Sequence, residues 1–175
     1  VISFTPAAMV NAGAPVSVCA NNAALALNGS VTGATGGAWS GGAGTYAPNN
    51  TMLNATYMPT ASEIAAGTLT LTLTSTGNGT CLPVSSDRII TFTPAPVVDA
   101  GVNGSVCANN SAISLSGSVT GAAGGTWSGG GGTFAPSSTA LNAAYTPTAA
   151  ERAAGTVTLT LTSTGNGTCN PVRDQ

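Results

Sequence analysis

Residues 67–81 read GTLTLTLTSTGNGTC, with Thr68, Thr70, Thr72 and Thr74 alternating with Leu69, Leu71 and Leu73. A period of two places the leucines on one face and the threonines on the other, the pattern of a half-buried strand. The same stretch returns at residues 155–169 with Val157 in place of Leu69. Shorter alternations flank it. Val16, Val18 and Cys19 match Val106 and Cys107; Leu25 and Leu27 match Ile113 and Leu115; Leu53, Ala55 and Tyr57 match Leu141, Ala143 and Tyr145. Each is expected to be a strand, and Pro59 and Pro147 stop the third of them. Asn21-Asn22 and Asn109-Asn110 read as turns, and Gly-rich stretches at 33–48 and 121–136 bracket a short strand carrying Trp39 or Trp127.

Thr60-Ala61-Ser62-Glu63 and Thr148-Ala149-Ala150-Glu151 fit a capping box, with Gly67 or Gly155 as the stop. That predicts one short helical turn per repeat. About seven strands per repeat, with turn signals every 8 to 12 residues, predict an all-β chain of two tandem immunoglobulin-like β-sandwich domains.

The repeat is regular. A separation of 88 relates Cys19 to Cys107, Trp39 to Trp127, Glu63 to Glu151 and Cys81 to Cys169. A period this long means similar domains in tandem rather than a solenoid of short units. The chain closes its second copy as PVRDQ and opens as VISFTPAAMV; joined, these match PVSSDRIITFTPAPVV with one loop residue removed. Residues 1–6 are therefore expected to be the closing strand of a preceding or neighbouring domain. Residues 7–94 form the first repeat, and 95–175 a second that lacks its last strand. Val1, Ile2 and Phe4, with Ile89, Ile90 and Phe92, are the expected inter-domain strand residues. Two arrangements fit: a window of a longer continuous array, or a subunit lending its first strand to a neighbour by donor-strand exchange. Both give a fibre, and either way an isolated chain leaves a sheet edge open.

Charge narrows the partners. Only 5% of residues are charged, with three Lys plus Arg, five Asp plus Glu and no His. Scattered Arg88, Arg152 and Arg173 cannot neutralise phosphates, so nucleic acid is not an expected partner, nor is an anionic membrane surface. No apolar run is long enough for a membrane-spanning helix. Without His or Lys the usual general bases and Schiff-base amines are missing, and the carboxylates do not form the pairs a glycosidase needs. No enzyme activity, metal or cofactor is expected.

Four cysteines allow three connectivities. Two copies of one plan favour Cys19–Cys81 and Cys107–Cys169, each closing a loop of about 60 residues and contributing roughly 4 kcal/mol. Disulfides imply an oxidising, extracellular setting. Trp39 with Tyr46, and Trp127 with Phe134, are candidate ligand or adhesion residues, although core packing is the commoner use of such rings. Asn28, Asn49, Asn54, Asn78, Asn103, Asn109 and Asn166 stand in Asn-x-Ser/Thr sequons and are candidate glycosylation sites, while Asn-Gly is equally good turn chemistry.

The series VCANN…LSGSVTGAAGGTWSGGGGTFAP…LNAAYTPTAAERAAGTVTLTLTSTGNGTC resembles the immunoglobulin-like/PKD-like tandem repeats of very large Bacteroidota surface proteins, including adhesin-like proteins associated with gliding and type IX secretion. The resemblance covers both repeats. It implies a secreted or cell-surface fibre or adhesin and carries no catalytic residues. One departure matters: the gap from Cys19 to Trp39 is wider than in antibody domains, which argues against a disulfide at the usual inter-sheet position. The expected function is a structural unit of an extracellular filament or stalk, with copies of itself or adjacent repeats as partners. The alternative is a carbohydrate-binding module that holds surface glycans in the Gly-rich loops.

Overall fold

The computed structural model of the chain describes residues 2–109 and 112–175. Val1 and the Asn110 half of the second Asn-Asn turn lie outside the described residues. The chain divides into two compact units, one ending at Thr93 and the next beginning at Pro94.

The first unit carries β1 (Met9–Asn11), β2 (Val16–Cys19), β3 (Leu25–Ala26), β4 (Ser30–Thr32), β5 (Gly36–Ser40), β6 (Thr45–Ala47), β7 (Thr56–Met58), α1 (Ala61–Ala66), β8 (Thr68–Thr76) and β9 (Ser85–Thr93). A four-stranded sheet runs β2-β9-β8-β5, a three-stranded one β3-β7-β6, and β1 pairs with β4. The alternation in β8 works as its sequence implies. Leu71 and Leu73 are fully buried, while Thr68 and Thr70 are exposed. They meet Trp39 of β5, Ile90 and Phe92 of β9, and Leu25, Leu27, Ala55 and Tyr57 from the opposite layer. Each such apolar side chain contributes roughly 1.5–3 kcal/mol by leaving water. The result is an immunoglobulin-like sandwich of nine strands, more than the seven expected, because β1, β4 and β6 are too short to stand out by period alone.

β9 is the pivot of the larger sheet. It pairs antiparallel with β8 from Thr74↔Ser85 to Thr68↔Thr91 and parallel with β2 from Val16↔Ile90 to Cys19↔Thr93. Arg88 fixes it further. Its guanidinium, partly withdrawn from water, donates to the carbonyls of Ala14 (3.2 Å), Ala26 (3.2 Å) and Leu27.

The second unit repeats this plan with β10 (Val97–Asp99), β11 (Ile113–Ser114), β12 (Ser118–Thr120), β13 (Gly124–Ser128), β14 (Thr133–Ala135), β15 (Ala144–Thr146), α2 (Ala149–Ala154), β16 (Thr160–Thr164) and β17 (Arg173–Asp174). Here the two copies part. The expected strand at Val106 and Cys107 does not form, and residues 156–159 are not strand although 68–71 are. The local sequences are nearly identical, so the difference lies in the partner. Residues 68–71 pair with Arg88 to Thr91 of β9; β17 reaches only Leu161↔Asp174 and Thr162↔Arg173. By this register Asp174 stands where Ser86 does, so no loop residue is missing as the joined ends suggested. The unmatched place is that of Arg88.

The strand expected at the start of the chain is one that closes a preceding or neighbouring domain, and the first unit does not take it up. Residues 2–6 have no ladder and are exposed, since β9 already lies between β2 and β8 and leaves no place for them in the first unit.

Both capping boxes form. Thr60 Oγ1 accepts from the Glu63 N–H (3.3 Å), and Glu63 Oε2 accepts from the Thr60 N–H (2.7 Å); Thr148 and Glu151 do the same. Gly67 and Gly155 close the turns in the left-handed region at φ of 80° and 83°. The expected single helical turn holds in each unit.

Candidate functional site

The missing ladder leaves a groove of about 740 Å³ in the second unit, lined by Val102, Val106, Ile113, Leu115, Val157 and Leu159 among others. The first unit shows what belongs there. Val18 is 9% exposed, but Val106 is 46%; Leu71 and Leu27 are fully buried, but Leu159 and Leu115 only half so. The difference is Ile90 and Phe92, which fill this place in the first unit at 1% and 7% exposure. Ile2 and Phe4, which stand 88 residues before them, are 83% and 91% exposed. Ile89, on the other face of β9, is itself half exposed. The chain therefore carries an apolar groove and a free copy of the sequence that fills its counterpart.

The cysteines are not paired as the repeat plan suggested. Cys19 and Cys169 are each in a disulfide, and Cys81 and Cys107 are free thiols, so neither Cys19–Cys81 nor Cys107–Cys169 forms. The sheet explains why. Cys19 ends β2 opposite Thr93, past the Thr68 end of β8, whereas Cys81 follows the Thr76 end. The eight steps of this nine-residue strand, at about 3.3 Å each, put about 26 Å between those ends, against the less than about 7 Å between Cα atoms that a disulfide tolerates. Cys81 Sγ instead lies 3.8 Å from the carbonyl oxygens of Thr5 and Pro6. Cys169 Sγ has the equivalent place, 3.8 Å from the Pro94 carbonyl oxygen.

The tryptophans are packing residues. Trp39 is fully buried and Trp127 is 3% exposed, and their indole N–H groups donate to the carbonyls of Leu53 (3.3 Å) and Leu141 (3.1 Å). Neither presents a face on which a sugar could stack. Tyr46 and Phe134 are half-buried and tilt against Tyr57 and Tyr145 at ring-centroid distances of 4.8 and 4.9 Å.

Glu63 and Glu151 do more than cap. Glu63 Oε1 accepts from the Tyr57 hydroxyl (2.7 Å) and from the Ala43 N–H (2.7 Å), and the Tyr57 oxygen accepts from the Gly44 N–H (2.8 Å). The Gly-rich loop is thus fastened to the helix through one carboxylate. Burial works against the charge on Glu63, but the Thr60 and Ala43 N–H groups and the Tyr57 and Thr60 hydroxyls outweigh it and hold the carboxyl below its usual range. Gly42 (φ 71°) and Gly130 (φ 69°) are required here, because a Cβ would strike the Tyr57 or Tyr145 hydroxyl. The capping motif pointed to these acids, but nothing in their spacing revealed the loop partners.

Of the sequon asparagines, Asn28, Asn49, Asn54, Asn103 and Asn109 are exposed. Asn78 and Asn166 are half-buried, and their amide nitrogens donate to the Ser75 and Ser163 carbonyls at 3.1 Å. Those two close their turns, next to Ser75 and Ser163, buried hydroxyls that accept from the Val84 and Val172 N–H groups and that periodicity alone did not single out. Among the described residues no group of three or more His, Cys, Asp or Glu could hold a metal, and no helix is long and apolar enough to cross a membrane.

No protein-family model and no curated protein matches the chain. Solved structures similar to it include tandem immunoglobulin and cadherin domains. Sidekick-1 immunoglobulin domains 1–4 match 96% of this chain and 47% of theirs at 14% identity and a TM-score of 0.40. Protocadherin gamma B2 extracellular cadherin domains 3–6 match 95% of this chain and 45% of theirs at 13% identity and 0.39. Human protocadherin-24 EC1-2 matches 97% and 96% at 13% identity and 0.41. The chain spans less than half the length of the first two structures, and at these identities the likeness concerns the fold alone.

Proposed function

We propose that the chain is a structural repeat of an extracellular filament or surface stalk, whose second unit is completed by a strand from outside itself. One observation carries this reading: the groove of the second unit is open where Ile90 and Phe92 close the first, while Ile2 and Phe4 stand exposed. A strand added to that edge would pair main chain to main chain and bury two large side chains, the usual chemistry of strand addition. The strand comes either from the continuing chain of a longer tandem array or from a neighbouring copy; the matching sequence at hand is residues 2–5. The disulfide-bonded Cys19 and Cys169 support an oxidising, extracellular setting. The resemblance to Bacteroidota surface repeats supports the same placement.

Sedimentation velocity tests the reading. Wild-type chain should associate into a concentration-dependent series, with filaments by electron microscopy, and Ile2→Asp/Phe4→Asp should remain a single two-unit particle. A wild type that stays monodisperse, or a variant that associates as well as wild type, would sink it. No observation favours the carbohydrate module, since both indoles are buried.

A further inference from the structure

We infer that Cys107 of one copy and Cys81 of the next close a disulfide across the strand junction, so that each assembly step is locked by oxidation. The inference rests on the strand-donation reading and adds to it a covalent site.

The register supplies the geometry. In the first unit β2 and β9 run parallel with Cys19 opposite Thr93. Cys107 and Thr5 stand at the positions of Cys19 and Thr93, 88 residues away in each case. If residues 2–5 of an incoming copy seat as β9 does, its Phe4 lies opposite Val106 and its Thr5 opposite Cys107. The incoming copy brings its own thiol to that spot, because Cys81 Sγ is 3.8 Å from the Thr5 carbonyl oxygen of the same chain. One thiol belongs to the acceptor and the other to the donor.

A second observation is independent of the groove. The disulfide-bonded cysteines, Cys19 and Cys169, hold the same two places in the repeat as the free ones, Cys107 and Cys81. Cys19 ends its strand opposite Thr93, and Cys169 Sγ lies 3.8 Å from the carbonyl of the next residue, Pro94. Each kind of position is thus oxidised once and left reduced once. The thiols left over are complementary rather than alike, which suits head-to-tail growth and not a two-fold dimer. Cys107 is exposed and Cys81 half-buried, so both are open to exchange before the junction forms.

Oxidation requires an acceptor for two electrons, and a low-molecular-weight disulfide serves. One thiolate attacks it, releasing one small thiol and forming a mixed disulfide. The second thiolate displaces the other small thiol, so two S–H bonds are lost, one protein S–S bond is made, and the small disulfide is reduced to two thiols.

The experiment mixes Cys81→Ser chain with Cys107→Ser chain in oxidised glutathione and reads a non-reducing gel and peptide mass spectrometry. The expected product is a mixed dimer linked Cys81 to Cys107, while wild type gives a ladder and each variant alone gives no more than a weak symmetric dimer. Failure of the mixed link, or equal amounts of the symmetric ones, would overturn the inference. The double variant Cys81→Ser/Cys107→Ser, run by sedimentation velocity, separates the two readings. If it associates while the mixed link is missing, the lock alone fails; if it does not associate and no link forms, strand donation fails with it.

Discussion

The Tyr57 hydroxyl donates to Glu63 Oε1 at 2.7 Å, and Tyr145 donates to Glu151 Oε1 at 2.9 Å across the same six-residue separation. In both units that bond joins a core strand to a helical turn and, through the second acceptor position of Oε1, to the Gly-rich loop. Replacing Glu63 by Ala removes the cap reciprocity and leaves the Tyr57 hydroxyl and the Ala43 N–H without their acceptor. We predict a loss of about 2 kcal/mol in urea unfolding, with Tyr57→Phe costing about 1 kcal/mol. Equal stability of Glu63→Ala and wild type would show that water replaces the carboxylate at no cost.

The same acids set an acid limit. The N–H groups of Thr148 and Gly131 pull the Glu151 carboxyl down to about 2, with burial opposing and the Tyr145 and Thr148 hydroxyls assisting. An unfolded glutamate titrates near 4.3, so the unfolded chain takes up the proton first. The stabilising contribution is complete above that value and is lost as pH falls from about 4.3 toward 2. Melting temperatures of wild type should drop through this window, and those of Glu151→Gln should drop less steeply. Parallel curves would count against the account.

At the alkaline end the sign is reversed. Burial first, and then the hydrogen bond to Glu63, push the Tyr57 hydroxyl up to about 12, against the Gly44 N–H, which favours the phenolate. A free tyrosine ionises near 10. The contribution is whole below that and disappears as pH rises through 12, so wild type should lose stability over this range and Tyr57→Phe should lose less. A pH titration of the melting temperature reads both.

Gly29 faces Trp39. A Cβ there would lie 2.6 Å from both Trp39 Cζ2 and Leu73 Cδ2, and Gly117 meets Trp127 and Leu161 in the same way. Gly29→Ala should therefore destabilise the first unit by about 1–3 kcal/mol through overpacking. Tryptophan fluorescence during unfolding would report it, and an unchanged midpoint would mean that the indole shifts freely.

Hydrogen exchange should separate the two long Thr/Leu stretches. Amides in 68–71 lie in a closed ladder, whereas 156–159 have none. The latter should exchange at least tenfold faster, and a peptide of residues 1–5 added in excess should slow them. Equal protection before the peptide is added would contradict the open edge.

The leucine face of β8, the capping boxes and the two-domain β plan were legible because each is local: a period of two, a four-residue motif, an 88-residue repeat. What was not legible is what depends on a distant partner. Thr156 to Leu159 has the pattern of Thr68 to Leu71, and only the extent of β9 against β17 separates strand from open chain. The cysteine pairing failed for a similar reason, since the two cysteines of one repeat, Cys19 and Cys81, sit past opposite ends of a nine-residue strand. Trp39 and Trp127 look the same in sequence whether they pack or bind. Burial decides, and it depends on Leu71, Leu73 and Leu161 from other strands.

β9 runs between two neighbours and leaves the first unit at Thr93, directly before Pro94. Tension applied at that exit acts along the strand and across its hydrogen bonds. The seven register pairs with β8 and four with β2 then share the load in shear, instead of opening one after another as a hairpin unzips. A strand that completes a sheet is, for this reason, also the strongest place from which to pull on it.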